Sequence, residues 1–229
     1  MNGPPEVADY TGTVTGFSSE PTAGYEDRKA KPGSLCGSVE SLLGRLEGGV
    51  KLTPEHQVFL TPRLKLRPPT MDDAEALFSG YGQDHEVTRY LVWRPHRDLD
   101  ESRRFLGTCL EGWASGRELT WAITLSDSGN LIGMVACRRQ GHKADLGYVL
   151  ARPHWGNGYM TEAVSAVADW LLSLPGLYRV WAVCDTANTA SARVMEKVGM
   201  TREGILKRWN VHPNASSEPR DCYVYARIR

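Results

Sequence analysis

Residues 152–163 read Arg-Pro-His-Trp-Gly-Asn-Gly-Tyr-Met-Thr-Glu-Ala. Two glycines flank one asparagine, after an apolar run and before a helical pattern. Without Cβ atoms a backbone can approach a ligand closely, and the N–H groups at a helix start point toward negative charge. Gly156 and Gly158 would allow that approach, and Asn157, Tyr159, Met160 and Thr161 would add donors. The chemistry is that of a phosphate cradle, although G-x-G alone also serves simple turn geometry. Two phosphate loops are excluded. The pattern G-x-x-x-x-G-K-[ST] is absent, and the dinucleotide fingerprint G-x-G-x-x-G has Thr161 where its third glycine belongs. An ATP or NAD site therefore lacks its lysine or its last glycine.

The elements that must position this loop follow from periodicity. Leu64 and Leu66 alternate with Arg63, Lys65 and Arg67, which predicts a half-buried strand ended by Pro68-Pro69. Thr70 caps a helix that buries Ala74, Leu77 and Phe78. A second helix from Asp98 carries the stripe Phe105, Leu106, Cys109, Leu110 and Trp113 and stops at Gly116. Strands over 120–125 and 131–138 join at Asp127-Ser128-Gly129-Asn130, and 145–150 is a further strand running into the glycines. Met160, Ala163, Val164, Val167, Ala168, Leu171 and Leu172 then recur with helical period. The unbroken run 178–184 predicts a central strand buried on both faces. Asn188 caps a helix that buries Val194, Met195 and Val198, and strands over 204–211 and 222–228 finish the chain. The order is β-α-α-β-β-β-α-β-α-β-β, an α/β (α+β) fold with a mixed central sheet flanked by helices.

The totals bound the function. The 229 residues suffice for one α/β domain with a core, plus an appendage. The 27 basic and 27 acidic residues cancel, which argues against a nucleic-acid binder working through overall charge. No apolar stretch approaches the ~20 residues of a membrane span, and the start lacks the order of a signal peptide. These features predict a cytoplasmic protein with no membrane partner. Cys36, Cys109, Cys137, Cys184 and Cys222 are scattered without a CxxC pair, so neither zinc nor a disulfide framework is expected. Residues 1–57 are rich in Gly, Pro, Ser and charge and read as a largely disordered extension. Within them Val39, Leu42, Leu43 and Leu46 fit a short helix near 38–46. Residues 58–229 form the folded domain.

The stretches GYVLARPHWGNGYMTEAV and VWAVCDTANTASARVMEKVGMTREGILK resemble the GCN5-related N-acetyltransferase (GNAT) superfamily. TPRLKLRPPTMDDAEAL is similar to the opening strand and helix of its RimJ/RimL branch, the ribosomal-protein N-terminal acetyltransferases. The resemblance covers about 60–229 and implies a mostly antiparallel sheet. One position departs from the family pattern: Pro153, beside Arg152, stands where Gln or Arg is usual. That touches a side-chain contact and not the cradle, which is made of backbone.

The resemblance implies acetyl-CoA as co-substrate, no metal, and direct acetyl transfer to an amine without a covalent enzyme intermediate. The pyrophosphate would sit on 156–161 and the pantetheine arm beside Tyr148, Val149 and Leu150, where a backbone N–H near Val149 or Leu150 would polarise the thioester carbonyl. Such a reaction needs a base for the amine, donors for the oxyanion and an acid near the departing thiolate. Asp145 stands where the family often carries a glutamate and is the candidate base. By similarity Asn188 touches the pantetheine and Ser191 lies near the sulfur. Tyr223 and Tyr225 are rival acids. Trp93, Arg94, His96 and Arg97 fall in the region that shapes the acceptor pocket. The acceptor is a protein N-terminal α-amine or a small-molecule amine. A non-catalytic acyl-CoA-binding module is the competing reading, and a monomer or homodimer is expected.

Overall fold

A computed structural model describes residues 58–229. The short helix expected near 38–46 lies outside the described residues. Eight strands form one sheet: β1 (Phe59–Leu60), β2 (Leu64–Arg67), β3 (Glu118–Leu125), β4 (Leu131–Gln140), β5 (Lys143–Leu150), β6 (Arg179–Asp185), β7 (Thr201–Asn210) and β8 (Arg220–Ile228). Their order is β1-β2-β3-β4-β5-β6-β8-β7, and every neighbouring pair is antiparallel except β5 with β6. The helices are α1 (Ala74–Leu77), α2 (His85–Thr88), α3 (Leu99–Ser115), α4 (Tyr159–Ser173) and α5 (Thr189–Lys197).

The expected architecture is present, with local differences that have physical reasons. The helix expected after Thr70 is broken into a 3-10 turn, the single turn α1 and a π-helical turn over Phe78–Gly82. Gly80 and Gly82 weaken that stretch. Two elements were too short for a periodic signal, β1 and α2. Asp84 caps α2 by accepting from the Glu86 and Val87 amides. The strand expected from Tyr178 starts at Arg179, and Tyr178 is exposed. At α3 the sequence signals hold: Asp98 accepts from Glu101 N, and Gly116 ends the helix at φ 68°.

The sheet divides two cores. Leu66, Trp121, Val135 and Leu146 face α4 and α5, meeting Met160, Val164 and Met195. Alternate residues Ala122, Met134, Ala136, Val149 and Ala151 face α1 and α3, meeting Leu77, Phe105 and Leu106. Strand alternation thus puts even-numbered β5 residues on one face and odd-numbered ones on the other. Trp121 is fully buried, with Phe59, Trp113 and Trp170 rings at 5.6, 5.3 and 5.9 Å. Replacing it removes one of the largest apolar side chains in the core. Trp121→Ala is expected to cost about 3–5 kcal/mol; equilibrium urea unfolding checks this, with a loss under about 1 kcal/mol contradicting it.

Candidate active site

The site is built by a strand pair that parts. The β5–β6 pairing covers only Lys143–Arg179, Ala144–Val180 and Asp145–Trp181. Beyond it each strand stays bonded to its outer neighbour, β4 or β8, along its whole length. A gap therefore opens between two well-held strands. It leads into a cavity of about 640 Å3 lined from both faces of the sheet, by Leu146 and Tyr148 on one side and Gly147 and Val149 on the other.

The ladder decides which β5 amides face the gap. Ala151 N donates to Ile132 O at 2.8 Å, so alternation along the antiparallel pair directs the Val149 amide to Met134. The amides of Tyr148 and Leu150 point the other way, into the gap. The Leu150 carbonyl there accepts from the Trp155 indole Nε1 at 2.7 Å. Of the two amides expected to polarise a carbonyl, this geometry offers Leu150 and spends Val149.

At the wide end of the gap lies the glycine loop. Gly156 and Gly158 both have φ of 78°, a left-handed conformation that other residues adopt only with strain. Gly158 caps α4, and the first intrahelical bond is Glu162 N to Gly158 O. The amides of Tyr159, Met160 and Thr161 thus precede any helical acceptor. Gly156, Gly158, Tyr159, Met160 and Thr161 line the cavity. Asn157 faces Arg63, whose guanidinium Nη1 donates to the Asn157 carbonyl at 2.9 Å. Arg63 also lies 4.6 Å over the Tyr159 ring and donates from N and Nε to Glu162 at 3.0 and 2.7 Å. Burial alone would raise the Glu162 carboxyl, but hydrogen bonds from Thr61 and Arg63 hold it below the usual range. Arg152, beside the departing Pro153, pairs with Asp84 at 3.1 Å.

Asn188 and Ser191 both line the cavity. Asn188 Oδ1 caps α5 by accepting from Ser191 N at 3.1 Å, which leaves its amide Nδ2 for a ligand. Ser191 Oγ lies 2.8 Å from the Tyr148 hydroxyl. Burial pushes the Tyr148 phenol up, against the opposing hydrogen bond to Ser191, so it stays protonated as a donor. Arg193 and Lys197, two and six residues beyond Ser191 on α5, line the same cavity.

The other candidates stand differently. Asp145 is 2% exposed and accepts Arg138 Nε at 3.0 Å as well as Arg138 Nη2. Arg138 and Glu118 line the cavity in front of it. The three form one cross-strand row, Glu118 opposite Arg138 and Arg138 opposite Asp145. Burial raises the Glu118 carboxyl, Arg138 opposes that, and Asp145 adds to it. Tyr223 and Tyr225 lie outside the lining: Arg202 sits 4.8 Å over Tyr223, and the Tyr225 hydroxyl donates to Glu196 at 2.9 Å. His96 bonds Ser102 and packs between Trp93 and Phe105, while Arg94 donates to the Pro213 carbonyl and Arg97 to Glu101. None of these four lines the cavity. Its lining there is instead Arg89, Tyr90 and Leu91, together with Asn210 and His212, whose ring lies 6.4 Å from that of Tyr90. Nothing in the sequence periodicity marks those positions, because all but Asn210, at the end of β7, belong to segments between the regular strands and helices.

Residues 63–201 match the Acetyltransferase (GNAT) domain family. The chain is 33% identical over 172 residues to the uncharacterized N-acetyltransferase YoaA of Bacillus subtilis (strain 168), covering 74% of this chain and 95% of that protein. A crystal structure of a GNAT-family acetyltransferase from Bacillus anthracis superposes with a TM-score of 0.66 at 27% identity, over 75% of this chain and 98% of that one. The Salmonella typhimurium enzyme described as modifying the N-terminal serine of ribosomal protein L7/L12 superposes at 0.67 with 19% identity, over 76% and 99%, a likeness of fold alone. The chain belongs to the GNAT acetyltransferase family. It is an N-acetyltransferase, which moves an acetyl group onto an amine.

Removing Arg138 would leave the buried Asp145 carboxylate without its partner. Arg138→Met is expected to lose about 3–5 kcal/mol of stability, read as a lower urea midpoint at pH 7. An unchanged midpoint would show that Asp145 is not held by this pair.

Proposed function

We propose that the acetyl donor is acetyl-CoA and that the acceptor is a protein N-terminal α-amine, in the cytoplasm. The observation that carries the donor is the β5–β6 gap ending at the bare start of α4. A pantetheine arm is an extended chain with two amides, and an unpaired strand edge is the surface that matches it. The pyrophosphate would lie on the Gly156–Thr161 amides, with Arg193 and Lys197 supplying positive charge nearby. The thioester would then reach the narrow end, where β5 and β6 meet. Leu150 or Tyr148 N–H faces the gap and would take the oxyanion. Ser191, hydrogen-bonded to the Tyr148 hydroxyl, would donate to the departing sulfur. Asp145 would hold Arg138 in place rather than meet the amine.

The α-amine acceptor is supported by the ribosomal N-terminus named for one structural neighbour and by the sequence resemblance to that branch. A small-molecule amine is the alternative outcome. Incubation with acetyl-CoA, a peptide panel and small amines, followed by thiol release and mass analysis, separates them. Acetylation at a peptide N-terminus is the expected result. Acetylation only of small amines would discard the acceptor while keeping the donor.

Two variants test the donor site. Gly158→Glu sets negative charge and a side chain in the cradle, so calorimetric binding of CoA should disappear while Gly158→Ala retains part of it. Normal affinity in the glutamate variant would remove the phosphate loop from the reading. Ser191→Ala should lower kcat about tenfold with the acetyl-CoA KM within twofold, as for loss of one transition-state hydrogen bond; an unchanged kcat rejects the thiolate role.

A further inference from the structure

We propose that Glu118 is the base of the reaction, receiving the proton of the acceptor amine through one bridging water. The inference rests on the acetyl-transfer reading and gives a role to a residue that no sequence motif marks.

Glu118 opens β3 and lines the cavity. Glu118, Arg138, Asp145 and Trp181 form one register row across β3, β4, β5 and β6. The Asp145–Trp181 pair is the last before the gap opens, so Glu118 stands level with its narrow end. Strand alternation puts the three charged side chains on the sheet face of Ala122, Ala136 and Val149, the face that carries α3. The approach of α3 is close there: a Cβ on Gly112 would lie 3.4 Å from Glu118 Cβ. Tyr148 and its hydrogen-bond partner Ser191 lie on the other face, with α5. Base and thiolate donor therefore serve the gap from opposite faces of the sheet.

The two carboxylates of the row are held differently. Asp145 is 2% exposed and accepts from both Nε and Nη2 of Arg138. Glu118 keeps 30% of its side chain exposed, and Arg138 Nη1 stands 3.6 Å from its Oε2, longer than a hydrogen bond. No hydrogen bond to its carboxylate forms among the described residues. Its lone pairs are thus open to the cavity. With Arg138 and Asp145 it makes a row of one net negative charge, which suits an acceptor that arrives as an ammonium. Two strands separate Glu118 from β6, a span that one water between carboxylate and amine shortens.

The protons balance. Glu118 takes one proton from the ammonium, and the nitrogen lone pair so freed attacks the thioester carbon. The N–C bond forms, and the C–S bond breaks with its electron pair on sulfur. The nitrogen loses a second proton, which passes through solvent to the thiolate. Glu118 returns its own proton to water, leaving the amide, the CoA thiol and one proton in solution.

Burial raises the Glu118 carboxyl, Arg138 opposes that, and Asp145 adds to it. Cys109 on α3 and Cys137 on β4 also feel its charge, and Glu86, Arg89 and His212 line the cavity with it. The base form is lost as pH falls through a value above the ordinary glutamate range. The same shift means that ionised Glu118 costs the fold stability at pH 7, so a neutral isostere should not weaken it.

The test is the pH dependence of kcat/KM for full-length wild type and Glu118→Gln, each checked for acetyl-CoA binding by calorimetry. The expected result at pH 7 is a loss of about 100-fold with binding retained and the acid limb gone. The residual rate of the variant should rise about tenfold per pH unit toward the acceptor's own pKa, because only substrate that arrives as free amine then reacts. A rate within threefold of wild type in a variant that still binds overturns the proposal, and so does an acid limb that persists in Glu118→Gln. The urea midpoint at pH 7 should be unchanged or higher; a lower one marks a structural ion pair and overturns it. Carbon-13 NMR of the Glu118 carboxyl, assigned with the same variant, needs no turnover and stands apart from the acetyl-transfer reading. A titration midpoint above those of exposed glutamates supports the assignment; a midpoint at or below them overturns it even where no amine on the panel is acetylated.

Discussion

The three-residue pairing of β5 with β6 is the constraint on which the rest depends. Each strand is held along its length by an antiparallel neighbour, so neither can swing to close the gap. The result is a sheet with an interior edge. Such an edge presents unpaired backbone groups, and these must find water or a ligand. A ligand with its own amides can complete the sheet, which makes binding an extension of the fold rather than an addition to its surface.

Two kinds of interaction hold that gap at the correct shape. One is local: Arg63 links the β1–β2 turn to Asn157, Tyr159 and Glu162, so the glycine loop is tied to a distant strand despite its bare backbone. The other is the buried charge on each side. Arg138 and Asp145 lock the narrow end from β4 and β5, and Arg220 and Asp185 lock the β6 side. Each guanidinium satisfies a carboxylate that would otherwise be buried alone, a state that costs several kcal/mol. The cavity between them can then contain less tightly paired groups, Glu118 and His212 among them.

The elements with strong periodicity were legible in the sequence, and the site only in part. The α4 stripe from Met160 to Leu172 and the α3 stripe ending at Gly116 have one reading each. The conformation of the glycine loop and its place before α4 were legible too, because its signature is the absence of side chains. Asn188 and Ser191 were found by resemblance and by their spacing on one helix. Asp145 shows the limit. Its position on β5 is visible in sequence, but its role depends on Arg138 across a strand pair, and one-dimensional spacing does not reveal a cross-strand partner. His212 was invisible for a related reason: its neighbours are Asp185 on β6, Cys222 on β8 and Tyr90 before α3, brought together only by the sheet order. The helix after Thr70 was over-read because its apolar spacing was helical while Gly80 and Gly82 favoured a looser turn.

The strand order β6-β8-β7 places β8 between two strands made before it. Until β8 emerges, β6 has only its three-residue hold on β5, and β7 has no partner in the sheet at all. Arg220 and Cys222 also arrive with β8, so the cluster around Asp185 and His212 forms last. During synthesis the glycine loop and α4 can therefore fold well before the β8 side of the cavity exists. A ribosome that stops before residue 220 leaves a chain with two unprotected strands, β6 and β7, a form suited to aggregation and degradation rather than to partial activity.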